Sequence, residues 1–235
     1  MIQIPIDIYP LAEIGGSPIG LILFVVIPLF ALGLFYIGYL QQKKRSESLA
    51  KLASELGMDF SPKPQKSDGF GFSGMPLFSR GRSRRIRNLM SGPMADANGY
   101  LFDYQFTTGG GKNSSTYSQT VAVFNIPDQY LPEFSCKPER FFHRLADLFG
   151  QEDINFGDYP NFSKNYRLTG SNEEAVRSIF NSNVIEMLET RVDNPWSVDA
   201  GGNWIAIYRP SKRIPPEQWS EFLLETTTLL NAMTL

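Results

Sequence analysis

The hydrophobic pattern begins with one long apolar run near the N-terminus. Residues 19–40 read IGLILFVVIPLFALGLFYIGYL, twenty-two positions without a charge. At a rise of 1.5 Å per residue this run is long enough to cross a hydrocarbon core of about 30 Å. The preceding residues, MIQIPIDIYPLAEI, contain two acids and no base, which is not typical of a cleaved signal peptide. The pattern therefore predicts a retained transmembrane helix over residues 19–40.

Farther along the chain, apolar residues recur at every second position, as in half-buried strands. YLFDYQFT (100–107) places four aromatic residues on one face and Asp103 with Gln105 on the other. TYSQTVAVF (116–124) follows after a glycine-rich turn, so these two segments predict an antiparallel hairpin. WSVDAGGNWIAIYR (196–209) predicts a second hairpin, with its turn at Gly201-Gly202. A further strand is predicted over residues 84–90.

Other segments show the 3.6-residue spacing or the capping residues of helices. Helices are predicted at residues 46–57, 138–150 and 184–191. Another is predicted to start near Asn172, where Ser171 and Glu174 fit a capping box, and the last one runs from Pro216 to the end. Strands and helices in this order predict an α+β fold, with a mainly antiparallel sheet and packed helices. The predicted organisation is a short extracytoplasmic segment (1–18), the transmembrane helix (19–40), a basic juxtamembrane helix and loop (41–76), and a cytoplasmic domain (77–235).

The charges are distributed unevenly along the chain. Lys, Arg, Asp and Glu sum to −2 in residues 1–40, +7 in residues 41–90 and −7 in residues 91–235. Because Lys and Arg favour the cytoplasmic side of a membrane helix, the bases just after residue 40 predict a cytoplasmic C-terminal domain at the inner (plasma) membrane. The chain has one cysteine and one histidine, which exclude an intramolecular disulfide and a zinc site of the usual Cys/His kind.

The segment TTGGGKNSST (107–116) invites comparison with a phosphate-binding loop. That motif requires a glycine five residues before the final glycine and a serine or threonine after the lysine. Here those positions hold Phe106 and Asn113, and a strand is predicted to follow where the motif needs a helix. The segment is therefore interpreted as a hairpin loop, with a looser anion-binding nest of backbone amides left open.

The run RGRSRRIR (80–87) contains five arginines in eight residues. Three interpretations remain open: a solvated strand edge, contact with anionic lipid headgroups, or contact with nucleic acid, of which the last is the weakest. A membrane tether favours lipid among the functional alternatives. The candidate residues for lipid or anion contact are Arg80, Arg82, Arg84, Arg85, Arg87 and Lys112.

Catalytic chemistry has few candidates in this sequence. His143 with Asp147 is spaced as a base with its orienting carboxylate, but a solvated helix pair explains the same spacing. Glu152, Asp153 and Asp158 are candidates for acid–base work or for a hard cation, and a polar loop explains them equally well. No catalytic residue, metal site or cofactor is assigned from the sequence.

Five phrases of the sequence are informative together. They are SGMPLFSRGRSRRIRNLMSG, LFDYQFTTGGGKNSSTYSQTVAVF, LPEFSCKPERFF, DINFGDYPNFSKNYRLTG and NEEAVRSIF. Over about residues 78–208 the chain thereby resembles a family of uncharacterised bacterial proteins with an N-terminal membrane helix and a cytoplasmic domain of unknown function. The resemblance implies a bacterial origin and a membrane anchor, and it brings no reaction and no site residues.

The sequence thus predicts a single-pass membrane protein whose cytoplasmic α+β domain acts as a binding or scaffolding module. The expected partner is anionic lipid or another protein. The competing hypothesis is a membrane-tethered hydrolase that uses the carboxylates of residues 152–158. It predicts that His143, Glu152, Asp153 and Asp158, or a similar set, gather around one cleft.

Overall fold

The computed structural model describes residues 20, 22–94, 97–142, 152–191 and 193–234. The chain divides into two compact units, Met1–Glu47 and Ser48–Leu235. The hydrophobic cores described below draw their side chains from residues 49–233. The second unit therefore has a hydrophobic interior of its own.

The N-terminal apolar run is helical. A π-helical turn at Ile22–Val26 leads into helix α1, Ile27–Glu55. A proline in a helix removes a hydrogen bond and crowds the carbonyl four residues earlier; here Pro28 stands beside the wider π-helical turn. The side chains of this run are exposed, as with Phe30 at 68% and Phe35 at 77%. Within the described residues, Ile22–Glu55 is one helix long and apolar enough to cross a membrane.

The predicted juxtamembrane helix is the last part of α1. The helix ends at Glu55, and Gly57 follows with a φ of +67°, as predicted from the glycine at the end of the periodic segment. Leu49 and Ala53 on its final turns are buried in the core of the second unit.

After the end of α1, the described part of the second unit contains six further α-helices and nine strands. In chain order they are β1 (Asp59–Ser61), β2 (Gln65–Lys66), α2 (Pro76–Ser79), β3 (Arg82–Met94), β4 (Ala97–Thr108), β5 (Ser115–Asn125), β6 (Leu131–Pro138), α3 (Glu139–Phe142), α4 (Pro160–Asn165), β7 (Tyr166–Gly170), α5 (Glu173–Ile179), α6 (Ser182–Glu189), β8 (Ser197–Gly202), β9 (Trp204–Tyr208) and α7 (Trp219–Thr234).

The described strands form a single sheet in the order β1-β3-β4-β5-β9-β8-β6-β7, with β2 also paired to β3. Each strand pair is antiparallel. The predicted α+β fold, a long apolar helix followed by a mainly antiparallel sheet with packed helices, is confirmed. The two predicted hairpins belong to this sheet, where β5 pairs with β9.

The first hairpin, β4–β5, is confirmed over its whole length. Its strands pair without interruption from Asn98–Asn125 to Thr108–Ser115. Gly109 has a φ of +71°, and its Cβ position would lie 2.4 Å from the carbonyl oxygen of Asn113. The tight turn therefore requires glycine at this position.

The second hairpin is present, but its turn lies one residue later than predicted. Gly201 pairs with Trp204 across β8 and β9, so Gly202 and Asn203 form the loop. Gly202, with a φ of +64°, supplies the left-handed conformation. The apolar–polar alternation on both sides of the glycines fits a turn at Gly201-Gly202 and a turn at Gly202-Asn203 equally well. The strand pairing decides for the second.

Each face of the sheet carries a hydrophobic core. One core includes Leu101, Ala122 and Cys136, and helices α5, α6 and α7 contribute to it. The other includes Phe102 and Tyr104 of β4, so the predicted aromatic face of this strand is confirmed. The second core is completed by residues of the segment before β3, which are Phe72, Met75, Leu77 and Phe78.

Three local predictions need correction. The segment 63–76, expected to be irregular, contains β2 and core residues. Strand β6 was not predicted, and Pro138 ends it instead of opening a helix; the described helix begins at Glu139, and residues 143–151 lie outside the described part of the chain. The N-cap of α5 is Asn172, whose side chain accepts from the Ala175 amide, where a Ser171–Glu174 box was expected.

Candidate functional site

Three of the predicted contact residues lie at one end of β3 and β4. Arg82 and Arg85 are exposed on β3, and Lys112 is exposed in the loop of the first hairpin. A guanidinium nitrogen of Arg82 donates to the Gly109 carbonyl, which joins the arginine run to the glycine-rich loop. Lys66 of β2 is also exposed and stands directly opposite Arg85. We call Lys66, Arg82, Arg85 and Lys112 the basic surface.

The strand register explains why these cations share a side of the sheet. Directly opposed residues of antiparallel strands project to the same face. Lys66, Arg85 and Gln105 form one such row, and Arg82 opposes Thr107 in another. Between these two rows β3 has one more residue than β4. This irregularity puts Arg82 and Arg85 on the same face of the sheet, although they are three positions apart.

Arg84 has internal partners. Its guanidinium lies 2.9 Å from Asp68 Oδ1 and donates to the Phe78 carbonyl at 2.7 Å. These contacts connect β3 to the segment that precedes it, which completes the second core. Arg84 therefore contributes to the fold as well as to the local charge.

Arg87 is half-buried and opposes Asp103 on β4. Asp103 is 5% exposed and accepts hydrogen bonds from Asn88 at 2.9 Å, Thr120 at 3.1 Å and Arg213 at 2.9 Å. A buried carboxylate is stable only when it is paired and hydrogen-bonded in this way. At Asp103 the predicted polar face of β4 is therefore part of an internal network, whereas Gln105 on the same face lies in the row of Lys66 and Arg85.

Arg80 differs most from the sequence-based expectation, because it is 6% exposed. It lines a small cavity together with Lys137 and Tyr208, which belong to a buried cluster of polar side chains that the sequence pattern did not reveal. Lys137 Nζ lies 3.0 Å from Asp199 Oδ1 and donates to Ser135 Oγ at 2.7 Å. Tyr208 Oη donates to Asp199 Oδ2 at 2.8 Å.

Burial sets the electrostatics of this cluster. It lowers the pKa of Lys137 to about 8, although the Asp199 carboxylate acts in the opposite direction. It also raises the pKa of Tyr208 well above its usual value, and Asp199 adds to that shift. In the sequence, the cluster is indicated only by Ser135 and Lys137, which are two positions apart. This spacing puts two side chains on one face only in a strand, and no strand is predicted there.

Among the described residues, the carboxylates of the hydrolase hypothesis line none of the three cavities found beside Glu133, Arg140 and Lys137. Asp153 Oδ1 accepts from the Leu168 amide at 3.0 Å and so holds a loop against β7. Glu152 and Asp158 are exposed. The described residues contain no group of three or more His, Cys, Asp or Glu able to hold a metal ion. His143 and Asp147 lie outside the described residues.

An open groove of about 590 Å3 lies at the opposite end of β8 and β9 from Ser197 and Tyr208. Its lining is Gly71, Gly74, Met75, Tyr130, Leu131, Pro132, Glu133, Ser171, Asn172, Ala175, Gly201, Gly202 and Trp204. We call this feature the glycine-lined groove. No sequence pattern pointed to it, because its walls come from four separate segments.

These features define a class of protein with one long apolar N-terminal helix and an antiparallel α+β domain. A solved structure with a similar fold is that of the mycobacterial trehalose monomycolate transport factor A, TtfA. The match has a TM-score of 0.53 and 13% identity, and it covers 82% of this chain and 96% of that chain. At this identity the likeness shows the fold alone.

No protein-family model and no curated protein sequence matches the chain. The resemblance to a family of bacterial single-pass membrane proteins therefore stays a prediction.

Proposed function

We propose that this chain is a membrane-anchored, non-enzymatic binding module whose basic surface contacts the headgroups of anionic lipids. In this proposal the domain lies on the cytoplasmic side of the inner membrane, with the short N-terminus outside. This orientation rests on Lys43, Lys44 and Arg45, which follow the apolar run directly.

The observation that carries the proposal is the pairing of Lys66 with Arg85 on adjacent strands. Like charges directly opposite each other destabilise a sheet, so the pair has a cost in the free protein that a bound anion relieves. Arg82 and Lys112 add two further exposed cations from β3 and the hairpin loop. Each basic residue near an anionic leaflet contributes about 1 kcal/mol.

The domain can be tested without its anchor, because residues 49–233 supply both cores. Residues 48–235 would be mixed with vesicles of phosphatidylcholine alone or with phosphatidylglycerol added, and bound protein measured by co-sedimentation. We expect binding to the anionic vesicles only, with a decrease as salt is raised.

The matched variants are two double charge reversals with the same change in net charge. Arg85→Glu with Lys112→Glu should weaken binding by more than about tenfold, since two contacts of about 1 kcal/mol are lost and repulsion is added. Lys164→Glu with Lys212→Glu changes exposed lysines outside the basic surface and should have a much smaller effect. Equal losses in both variants, or equal binding to neutral vesicles, would rule out the proposed surface.

A further inference from the structure

The glycine-lined groove is built where the strand ladder is interrupted. Leu131 pairs with Gly202 and Phe134 with Ala200, so β6 has one residue more than β8 between these pairs. Such a bulge leaves backbone groups outside the ladder and redirects side chains. Pro132 and Glu133 occupy it, and both line the groove. The Glu133 carbonyl is held by the Ser171 amide at 3.0 Å.

Four of the lining residues are glycines, and this leaves main-chain atoms accessible along the walls. At Gly71 a Cβ would lie 3.0 Å from the Trp204 ring, so a side chain there would press on the indole. At Gly74 a Cβ would have nothing within 4 Å. A ligand backbone can therefore approach the groove closely, as it does when an extended peptide is bound.

The charge and the aromatic residues of the lining indicate what kind of side chain the ligand presents. Glu133 is the one charged residue among the described lining residues, so a phosphate or carboxylate would find no cation there. Tyr130 is 89% exposed, and Trp204 is half-buried. Tyrosine and tryptophan are enriched in protein interfaces and attract cations through their ring faces. The phosphate of a zwitterionic lipid headgroup would have no cation to pair with among these residues. A basic peptide side chain, in contrast, can pair with the Glu133 carboxylate and contact the rings of Tyr130 and Trp204.

We infer that the glycine-lined groove binds an extended segment of a partner protein that presents a lysine or arginine to Glu133. The neighbouring residues of that segment lie against Trp204 and Tyr130. This interaction uses none of the residues of the basic surface, so it stands or fails independently of lipid contact.

Two changes test the groove with little disturbance of the fold. Gly74→Phe places a large side chain in the groove from a position with open space around its Cβ. Its matched control is Gly157→Phe, since Gly157 also has nothing within 4 Å of its Cβ position and is not a lining residue. Glu133→Gln removes the charge at constant size, with the exposed Glu217→Gln as its control.

The experiment selects a random-peptide phage library on the full chain in detergent micelles and counter-selects it on Gly74→Phe. Affinities of selected peptides are then measured by intrinsic fluorescence. Trp204 is the tryptophan able to report, because Trp196 and Trp219 are 2% and 0% exposed. We expect enriched peptides with a basic residue at a fixed position, and a loss of affinity of about tenfold or more in Gly74→Phe and Glu133→Gln. Both control variants should bind like the natural chain.

Several outcomes would overturn the inference. One is failure to enrich any peptide, and another is enrichment of peptides without a shared basic position. Equal affinity for Gly74→Phe and the natural chain would place the binding elsewhere. A response of Trp204 to neutral disaccharides such as maltose, in the absence of any response to peptides, would assign the groove to carbohydrate instead.

Discussion

At the scale of single residues, burial decides what Lys137 does. Lys137 and Asp199 are 62 positions apart and meet at 3.0 Å, with side chains 5% and 0% exposed. Removing two charges from water costs free energy that their attraction repays only with good geometry and further hydrogen bonds. Ser135 and Tyr208 supply those bonds, and the depressed pKa of Lys137 shows that desolvation outweighs the attraction.

This pKa predicts a pH-dependent stability. Lys137 titrates at about 8 in the folded protein and at 10.5 when unperturbed, so between these values the unfolded chain binds more protons. The contribution of Lys137 to the free energy of unfolding therefore rises with pH across this interval. Burial raises the pKa of Cys136, which makes its contribution fall as pH passes its unfolded value. The two proteins compared below both retain Cys136 and Tyr208 and the burial that raises the pKa of each, so their difference reports mainly on Lys137.

The comparison uses Lys137→Met with Asp199→Asn, a pair that removes both charges and keeps an acceptor for Tyr208. The natural domain should gain stability relative to this variant between about pH 8 and 10, by an amount on the order of 1 to 2 kcal/mol. Urea unfolding of residues 48–235 at several pH values measures the difference. A difference that stays constant or shrinks over this interval would contradict the depressed pKa.

At the scale of elements, the first hairpin shows which glycines of the run 109–111 adopt a backbone conformation that favours glycine. Gly109 has a φ of +71° and Gly111 a φ of +54°, whereas Gly110 has an extended backbone with a φ of −141°. The three residues are alike in sequence and differ in the conformation that the turn imposes. A left-handed backbone favours glycine because other residues lack room for Cβ.

Alanine substitution should separate these neighbours. Gly109→Ala places a Cβ 2.4 Å from the Asn113 carbonyl oxygen and should cost more than about 1 kcal/mol of unfolding free energy. Gly110→Ala meets nothing within 4 Å and should be neutral or slightly stabilising, because it restricts the unfolded chain. Urea unfolding of both variants of residues 48–235 measures this. Similar losses at the two positions would contradict the described turn.

At the scale of the whole molecule, the two units differ in where their apolar side chains lie. The domain from Ser48 onward encloses most of its large apolar residues in two cores. The helix from Ile22 exposes them, with Phe35 at 77% and Phe30 at 68%. A continuous apolar surface of this kind is typical of contact with a membrane or a partner. The basic residues that follow it set the predicted direction of insertion.

That direction can be measured with reporters fused after Leu235 in a bacterial host. Green fluorescent protein should be fluorescent and alkaline phosphatase inactive, as for a cytoplasmic C-terminus. Changing Lys43, Lys44 and Arg45 to Gln should raise phosphatase activity, because the charge bias that fixes orientation is lost. An active phosphatase on the natural chain would overturn the predicted topology.

The sequence alone determined the features that depend on neighbouring residues. The uncharged run at 19–40, the alternation of β4 and β5 and the glycines between them identify a long apolar helix and an antiparallel hairpin. Periodicity carries this information because each side chain's face follows from its position in the element. The sequence also located Arg82, Arg85 and Lys112 as candidates, since charge clusters are visible in the chain itself.

Only the tertiary structure decided what depends on long-range pairing. It buried Arg80 beside Lys137, paired Arg84 with Asp68 and placed Lys66 opposite Arg85. It also assembled the glycine-lined groove around Glu133 from separate segments. Local patterns report which residues are apolar and how they repeat, whereas contacts between distant strands depend on register. The free energy of burying or exposing a charge is fixed only once that register is set.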